Sequence, residues 1–269
     1  MTTPSPKPVS AGVFWPAYSL FLREWVRFLR QRNRMIGAMA TPLLFLVFFG
    51  SGFGSSVRPG GQDSMAYTHF FFPGVLLMVV LFTAVFSSIS IIEDRNQGFL
   101  QGVLVAPVSR WAIVLGKVLG SASLGLFQGL LLLLLAPLMG LWPDVASLPL
   151  AILVLFLCAT LLSGIGFFFA WQMDSVQGFH AVMNLVLMPL WLLSGAIFPV
   201  SGASGWMQVV MKSNPLSYGL SALRATLFPE QAAAALGESS LEISLIVLSA
   251  TTLVVMLAAL VLVNRPLKG

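Results

Sequence analysis

Residues 70–97 read FFFPGVLLMVVLFTAVFSSISIIEDRNQ. No charge occurs between Phe70 and Ile92, and Glu93, Asp94 and Arg95 then follow in succession. A bilayer core is crossed by about 20 predominantly apolar residues in helical conformation, so this stretch is long enough to span one. Pro73 falls in the first turns, where a proline costs a helix little. Working outward, five more apolar stretches of comparable length appear: about 35–53, 112–141, 148–171, 181–198 and 241–263. Polar or helix-breaking clusters separate them, among them Gly50-Ser51-Gly52 with Gly54, Trp142-Pro143-Asp144, and Gln172 with Asp174. Hydrophobic residues make up 58% of the 269 and charged residues only 9%, against about 25% charged in soluble domains. The reading is an all-α integral membrane protein: an amino-terminal segment, 1–34, followed by one transmembrane domain of six helices, 35–269.

Two segments are too interrupted to span. Residues 98–111 are broken by Pro107, Ser109 and Arg110, and residues 201–240 form a partly amphipathic excursion with Trp206, Met207, Val210 and Met211 on one face. Pro189 lies inside the fifth span, where a neighbouring helix can satisfy the carbonyl it leaves free. Lys117 lies close enough to its helix end to snorkel toward water. Residues 13–32 predict an amphipathic helix. Phe14, Tyr18, Phe21, Leu22, Trp25 and Leu29 recur at helical spacing, and Arg23, Glu24, Arg27 and Arg30 occupy the other side. Aromatics opposite arginines fit a helix lying in the lipid head-group layer.

The net charge is +5, but the basic residues flank apolar spans, which fits anionic lipid and not nucleic acid. With the amino terminus inside, Lys7, Arg23, Arg27, Arg30, Arg32, Arg34, Arg95, Arg110, Lys117, Arg265 and Lys268 fall on the inner side. Only Arg58, Lys212 and Arg224 of the 14 basic residues fall outside. The positive-inside rule therefore puts both termini in the cytoplasm, and six spans require the same. Residues 1–10 are polar and proline-rich, unlike a cleavable signal. The lone Cys158 sits in an apolar run as a small hydrophobe. His69 and His180 fall on opposite sides of the membrane, so no metal site is expected. No Gly-x-x-x-x-Gly-Lys-[Ser/Thr] phosphate loop is present, so no catalytic residue and no cofactor is assigned to this chain.

The inner loop between spans two and three carries more than a connection needs. Glu93, Asp94 and Arg95 open it; Leu100, Val103 and Leu104 follow at helical spacing; Pro107-Val108-Ser109-Arg110 breaks it; Leu115-Gly116-Lys117 re-enters the membrane. Such a segment either presents a surface to a cytoplasmic partner or lies passively along the membrane. Within the spans, Gln128, Ser163, Asn184 and Ser194 are the conspicuous polar residues, read as interhelical hydrogen-bonding groups with Asn184 and Ser194 as candidate substrate contacts. Gly116/Gly120 and Gly125/Gly129 have the small-x-x-x-small spacing of close helix packing.

The pattern of Glu93, Gly98, Leu100, Leu104, Pro107, Ser109, Arg110, Gly116 and Lys117 resembles the ABC-2 type exporter permeases. Leu193-Ser194-Gly195-Ala196-Ile197-Phe198-Pro199 is similar to that family's fifth-span ending, and Asn214-Pro215-Leu216-Ser217-Tyr218 with Arg224 to its outer Asn-Pro-x-x-Tyr…Arg segment. Phe99 and Gln101 depart from the family's usual Thr and Glu, leaving a less acidic loop. The resemblance covers most of the chain and looks nearest to drug-resistance and nodulation-factor export permeases. It implies a bacterial inner-membrane, multi-pass permease subunit, homodimeric, bound to two copies of a separate ATPase subunit that carries ATP and Mg. It also implies that Arg23 and Arg27 on the amino-terminal helix, with Glu93, Gly98, Leu100, Val103, Leu104, Pro107 and Arg110, transmit ATP-driven motion. The cargo would be amphipathic or lipid-linked: a drug, glycolipid or polysaccharide precursor. A secondary carrier or channel is the alternative. The lack of mid-membrane carboxylates and of an internal repeat speaks against it, as the lack of paired acids or a nucleophile speaks against a lipid-modifying enzyme.

Overall fold

The computed structural model describes residues 12–52, 64–230 and 239–264, and all regular structure among them is helical. In chain order the helices are α1 (Phe14–Arg30), α2 (Arg32–Gly52), α3 (Ser64–Ser87), α4 (Ile89–Asn96), α5 (Phe99–Val105), α6 (Arg110–Leu135), α7 (Leu148–Gln172), α8 (Val176–Trp191), α9 (Gly205–Ser213), α10 (Pro215–Leu227) and α11 (Leu241–Asn264). Among the described residues five helical stretches are long and apolar enough to cross a membrane: Thr68–Asn96, Arg110–Met139, Leu148–Gln172, Val176–Ala196 and Leu241–Asn264. The first expected span corresponds to α2, a 21-residue helix whose apolar part, Ile36–Phe48, is shorter. Phe53, the loop from 55 to 63 with Arg58, residues 231–238, Lys7, Arg265 and Lys268 lie outside the described residues.

The expected end of the second span is corrected. Glu93 and Asp94 do not terminate the helix; after a turn at Ser88 it resumes as α4 and runs to Asn96, with Asp94 buried. The reason is the set of cations around Asp94, described below. The third expected span is α-helical as α6 only to Leu135 and tightens into a 3₁₀ turn over Ala136–Met139.

Helix α3 is the centre of the molecule. Nearly every side chain from Phe71 to Val80 is buried, and α2, α6 and α7 pack around it. Lipid tails are as apolar as leucine, so close backbone approach does what the hydrophobic effect does in water. The glycines of α6 provide it: a Cβ on Gly116 would stand 2.6 Å from the Ala17 carbonyl oxygen, and one on Gly129 2.9 Å from Val80. Gly116 and Gly120 seat α1, while Gly125 and Gly129 seat α3. Helix α1 lies so that Phe14, Trp15, Tyr18, Leu22, Val26 and Leu29 face outward and Leu20, Glu24 and Phe28 face the protein, as a helix resting in the head-group layer should.

At the far end, α8 stops two residues past Pro189 and passes into a single π-helical turn, Leu192–Ala196, where Gly195 takes φ 89°. Side chains of the α9–α10 segment donate to carbonyls around this turn and to that of Phe70 in α3. Asn214 Nδ2 donates to the Leu190 oxygen at 2.6 Å, and Arg224 donates to the Gly195 oxygen at 2.8 Å and the Phe70 oxygen at 3.2 Å. Asn214 also caps α10 by accepting from the Leu216 amide at 3.0 Å. At 13 residues α10 is too short to span and is buried between α7 and α11.

Candidate coupling site

The opposite end holds the chemistry. Because α1 crosses α6 at Gly116 and Gly120, Glu24 is delivered directly over Lys117. Lys117 Nζ donates to Glu24 Oε1 at 2.6 Å, to Ser90 Oγ at 3.3 Å and to Asp94. Arg23 pairs with Asp94 at 2.8 Å, Arg27 pairs with Asp94 and, at 3.4 Å, with Glu93. Ser90 Oγ donates to Glu24 at 2.9 Å, and its carbonyl accepts from Arg27 at 3.1 Å. Glu24, Asp94 and Lys117 are each at most 2% exposed. Three cations thus face three carboxylates across α1, α4 and α6. Charges this deep persist only when paired and hydrogen-bonded, so the three helices are tied into one unit. Lys117 does not snorkel: Glu24 and Asp94 hold it inside.

Two further arginines tie the same end to distant helices through C-terminal carbonyls, which attract cations. Arg95 pairs with Asp174 at 2.8 Å and donates to the Met173 and Trp171 carbonyls at the end of α7. Arg110 donates to the Val263 oxygen, near the end of α11, at 2.7 Å.

The loop between α4 and α6 folds back as a hairpin. Gly98 has φ 76°, a left-handed turn that favours glycine, and this reverses the chain between α4 and α5. Helix α5 turns its apolar side inward: Leu100 is 2% exposed, and Phe99, Val103 and Leu104 pack against the core. Arg23 stacks over the Phe99 ring at 3.7 Å. The outward side carries Gln101, Gly102, Val105 and Pro107, with Val105 87% exposed. The protein's own core thus covers Leu100 and partly covers Val103 and Leu104.

Of the candidate residues, Arg23, Arg27 and Glu93 share the charge cluster, while Gly98, Leu100, Val103, Leu104 and Pro107 form the hairpin beside it. Arg110, at the start of α6, stands apart, bonded to the Val263 oxygen of α11. Glu24, Ser90, Asp94 and Lys117 were not among the candidate site residues. The available signal was that Leu20, Glu24 and Phe28 recur every four residues, setting a carboxylate in an apolar row. Asn184 is exposed on α8, and Ser194 is buried, donating to the Trp191 oxygen at 2.6 Å. They do not share a site.

Beside the cluster opens a cavity of about 390 Å³. Helix α3 contributes Phe82, Thr83, Phe86 and Ser87; α2 contributes Gly37, Ala38 and Thr41; Phe28, Glu93, Val176 and His180 close the remaining sides. Its volume lies within the range of small-ligand sites, about 300–1,000 Å³. Among the described residues no cluster of three or more His, Cys, Asp or Glu side chains is arranged to hold a metal ion.

Comparison with known proteins agrees with this architecture. The sequence model of the ABC-2 type transporter family matches residues 17–228, which takes in most of α1, the charge cluster, the hairpin and α10. The chain is 30% identical over 221 residues to the inner membrane transport permease YadH of Escherichia coli (strain K12), covering 79% of this chain and 83% of that one. It is 27% identical over 209 residues to the putative transport permease ycf38 of Cyanophora paradoxa, covering 77% and 72%. A third relative, the probable multidrug ABC transporter permease YbhR of Escherichia coli (strain K12), is 26% identical over 167 residues, covering 60% and 44%. A multi-pass helical membrane chain matched along most of its length in this way belongs to the ABC-2 type transporter family, as the membrane subunit of an ABC transporter.

Proposed function

We propose that this chain is the permease of an ATP-driven exporter in the bacterial inner membrane, moving an amphipathic substrate out of the cytoplasm. Both termini and residues 93–117 face the cytoplasm in this reading, which the distribution of Lys and Arg supports. ATP and Mg are held by a partner subunit, present in two copies. The observation that carries the proposal is the buried cluster of Glu24, Asp94 and Lys117. It joins α1, the helix leading into the α5 hairpin and the start of α6, so a push on the hairpin moves all three together.

The partner would meet the outward side of the hairpin, Gln101, Gly102, Val105 and Pro107, with Leu100 and Leu104 holding that side in place from beneath. A second copy of the chain would cover α2 and α8, whose outward residues include Leu44, Val47, Phe48, Asn184 and Leu185. Lipid would bathe the aromatic face of α1. An ion-driven carrier is disfavoured because Glu24 and Asp94 are fully engaged by cations, whereas such carriers keep an ionisable group free to load and unload.

Affinity purification of the tagged chain together with its ATPase subunit tests this. The complex should hydrolyse ATP, the chain alone should not, and vesicles holding both should move substrate only when ATP is supplied. Transport driven by an ion gradient in vesicles holding this chain alone would overturn the reading.

A further inference from the structure

The cavity beside the charge cluster has an uneven chemistry that narrows its occupant. Three phenylalanine rings form its walls: Phe28, Phe82 and Phe86, the last two stacked with centroids 5.7 Å apart. His180 lies against Phe86 at 4.7 Å. Among the described residues no Lys or Arg lines the cavity, and the one carboxylate is Glu93. Glu93 is the loosest member of the cluster. Its side chain is 32% exposed, and it meets Arg27 through Oε2 alone, at 3.4 Å. Arg27 has closer partners in Asp94 and the Ser90 carbonyl, so it stays anchored whether or not Glu93 is engaged elsewhere.

Aromatic faces attract cations through the ring quadrupole, more strongly when water is displaced, and a carboxylate at the rim adds a direct counter-charge. We propose that this cavity binds a hydrophobic organic cation, with Phe82 and Phe86 holding its apolar body and Glu93 facing its charge. This deepens the export reading by naming a substrate class, and it rests on that reading only for the statement that the bound molecule is cargo. At about 390 Å³ the cavity accommodates a compact polycyclic or tetra-aryl molecule, while a lipid-linked glycan would need a larger space.

The test compares two ions of nearly the same shape and opposite charge, tetraphenylphosphonium and tetraphenylborate. Each is dialysed to equilibrium against the purified full chain in micelles, with protein-free micelles as the blank. Tetraphenylphosphonium should bind saturably at one site per chain, at least about tenfold more tightly than tetraphenylborate. Glu93→Gln should weaken tetraphenylphosphonium about tenfold, Glu93→Asp less than threefold, and Phe86→Leu several-fold. Equal or tighter binding of tetraphenylborate would overturn the proposal, as would undiminished tetraphenylphosphonium binding in a correctly folded Glu93→Gln protein. If Glu93→Gln does not fold, the wild-type comparison and Phe86→Leu decide. No ATPase takes part in this assay, and its co-purification is scored separately, so failure here leaves the exporter reading standing or falling on its own evidence.

Discussion

Replacing Lys117 by methionine removes the one cation shared by both buried carboxylates while keeping the aliphatic stem. Asp94 retains Arg23 at 2.8 Å and Arg27. Glu24 retains only the Ser90 hydroxyl, at 2.9 Å. The orphaned charge is therefore Glu24, 2% exposed and covered by α6. Breaking a buried ion pair from one side costs about 3–5 kcal/mol, and we expect a loss in that range. Adding Glu24→Gln restores the balance at two cations and two carboxylates, and the amide oxygen still accepts from Ser90. The double variant should recover about 2 kcal/mol, a coupling in the range seen for residues in direct contact. Unfolding of the full chain in mixed micelles reads both numbers. Trp25, bonded to Ser123 at 2.8 Å across the α1–α6 contact, gives a local signal. A Lys117→Met protein as stable as the parent, or a double variant no better than the single, would refute the idea that this cluster clamps α1 to α6.

Gly116→Ala should separate the same two helices for a steric reason, costing about 1–3 kcal/mol, because the added methyl would stand 2.6 Å from a backbone oxygen of α1; Gly37→Ala, with open space around it, should be close to neutral in the same melt. Arg224→Gln should destabilise the far end by about 2–3 kcal/mol, since it strips charged donors from the Phe70 and Gly195 carbonyls at a site 5% exposed. Val105→Asp should leave the melting curve unchanged but reduce recovery of the ATPase subunit on affinity resin at least fivefold, an effect worth about 1 kcal/mol. Leu100→Asp should do the reverse, lowering stability by placing an unpaired carboxylate in the core.

The helical membrane class was legible because its signal is one-dimensional: an uncharged stretch such as Phe70 to Ile92 means the same thing wherever its neighbours lie. The glycine rows of α6 were legible for a similar reason, since small residues at i and i+4 mark a groove whatever fills it. The charge cluster was not. Glu24 looks like one more polar residue among arginines until α1 is laid across Gly116, and Lys117 looks able to reach water until Glu24 is above it. Both depend on contacts between residues more than 90 positions apart. The loop reads as amphipathic, while whether it presents a surface is left open. Spacing tells which side chains share a face; only the placement of α1 and α4 tells whether that face turns to the core. The α8–α10 contact lay between these cases, because Pro189 marked an interrupted helix while the carbonyls bonded there, Leu190 and Gly195, and their donors, Asn214 and Arg224, waited on the fold.

The proposed exporter requires an ATP-hydrolysing partner docked on the outward side of the α5 hairpin. A photo-crosslinking amino acid placed at Val105, with a second placement at the outward-facing Val261 of α11 as control, tests that claim in intact membranes containing both subunits. The predicted result is a covalent adduct between the chain and the ATPase subunit from position 105 and none from position 261. No adduct from position 105 or from neighbouring Gln101, with the two subunits still co-purifying, would contradict it and move the contact to the amino-terminal helix.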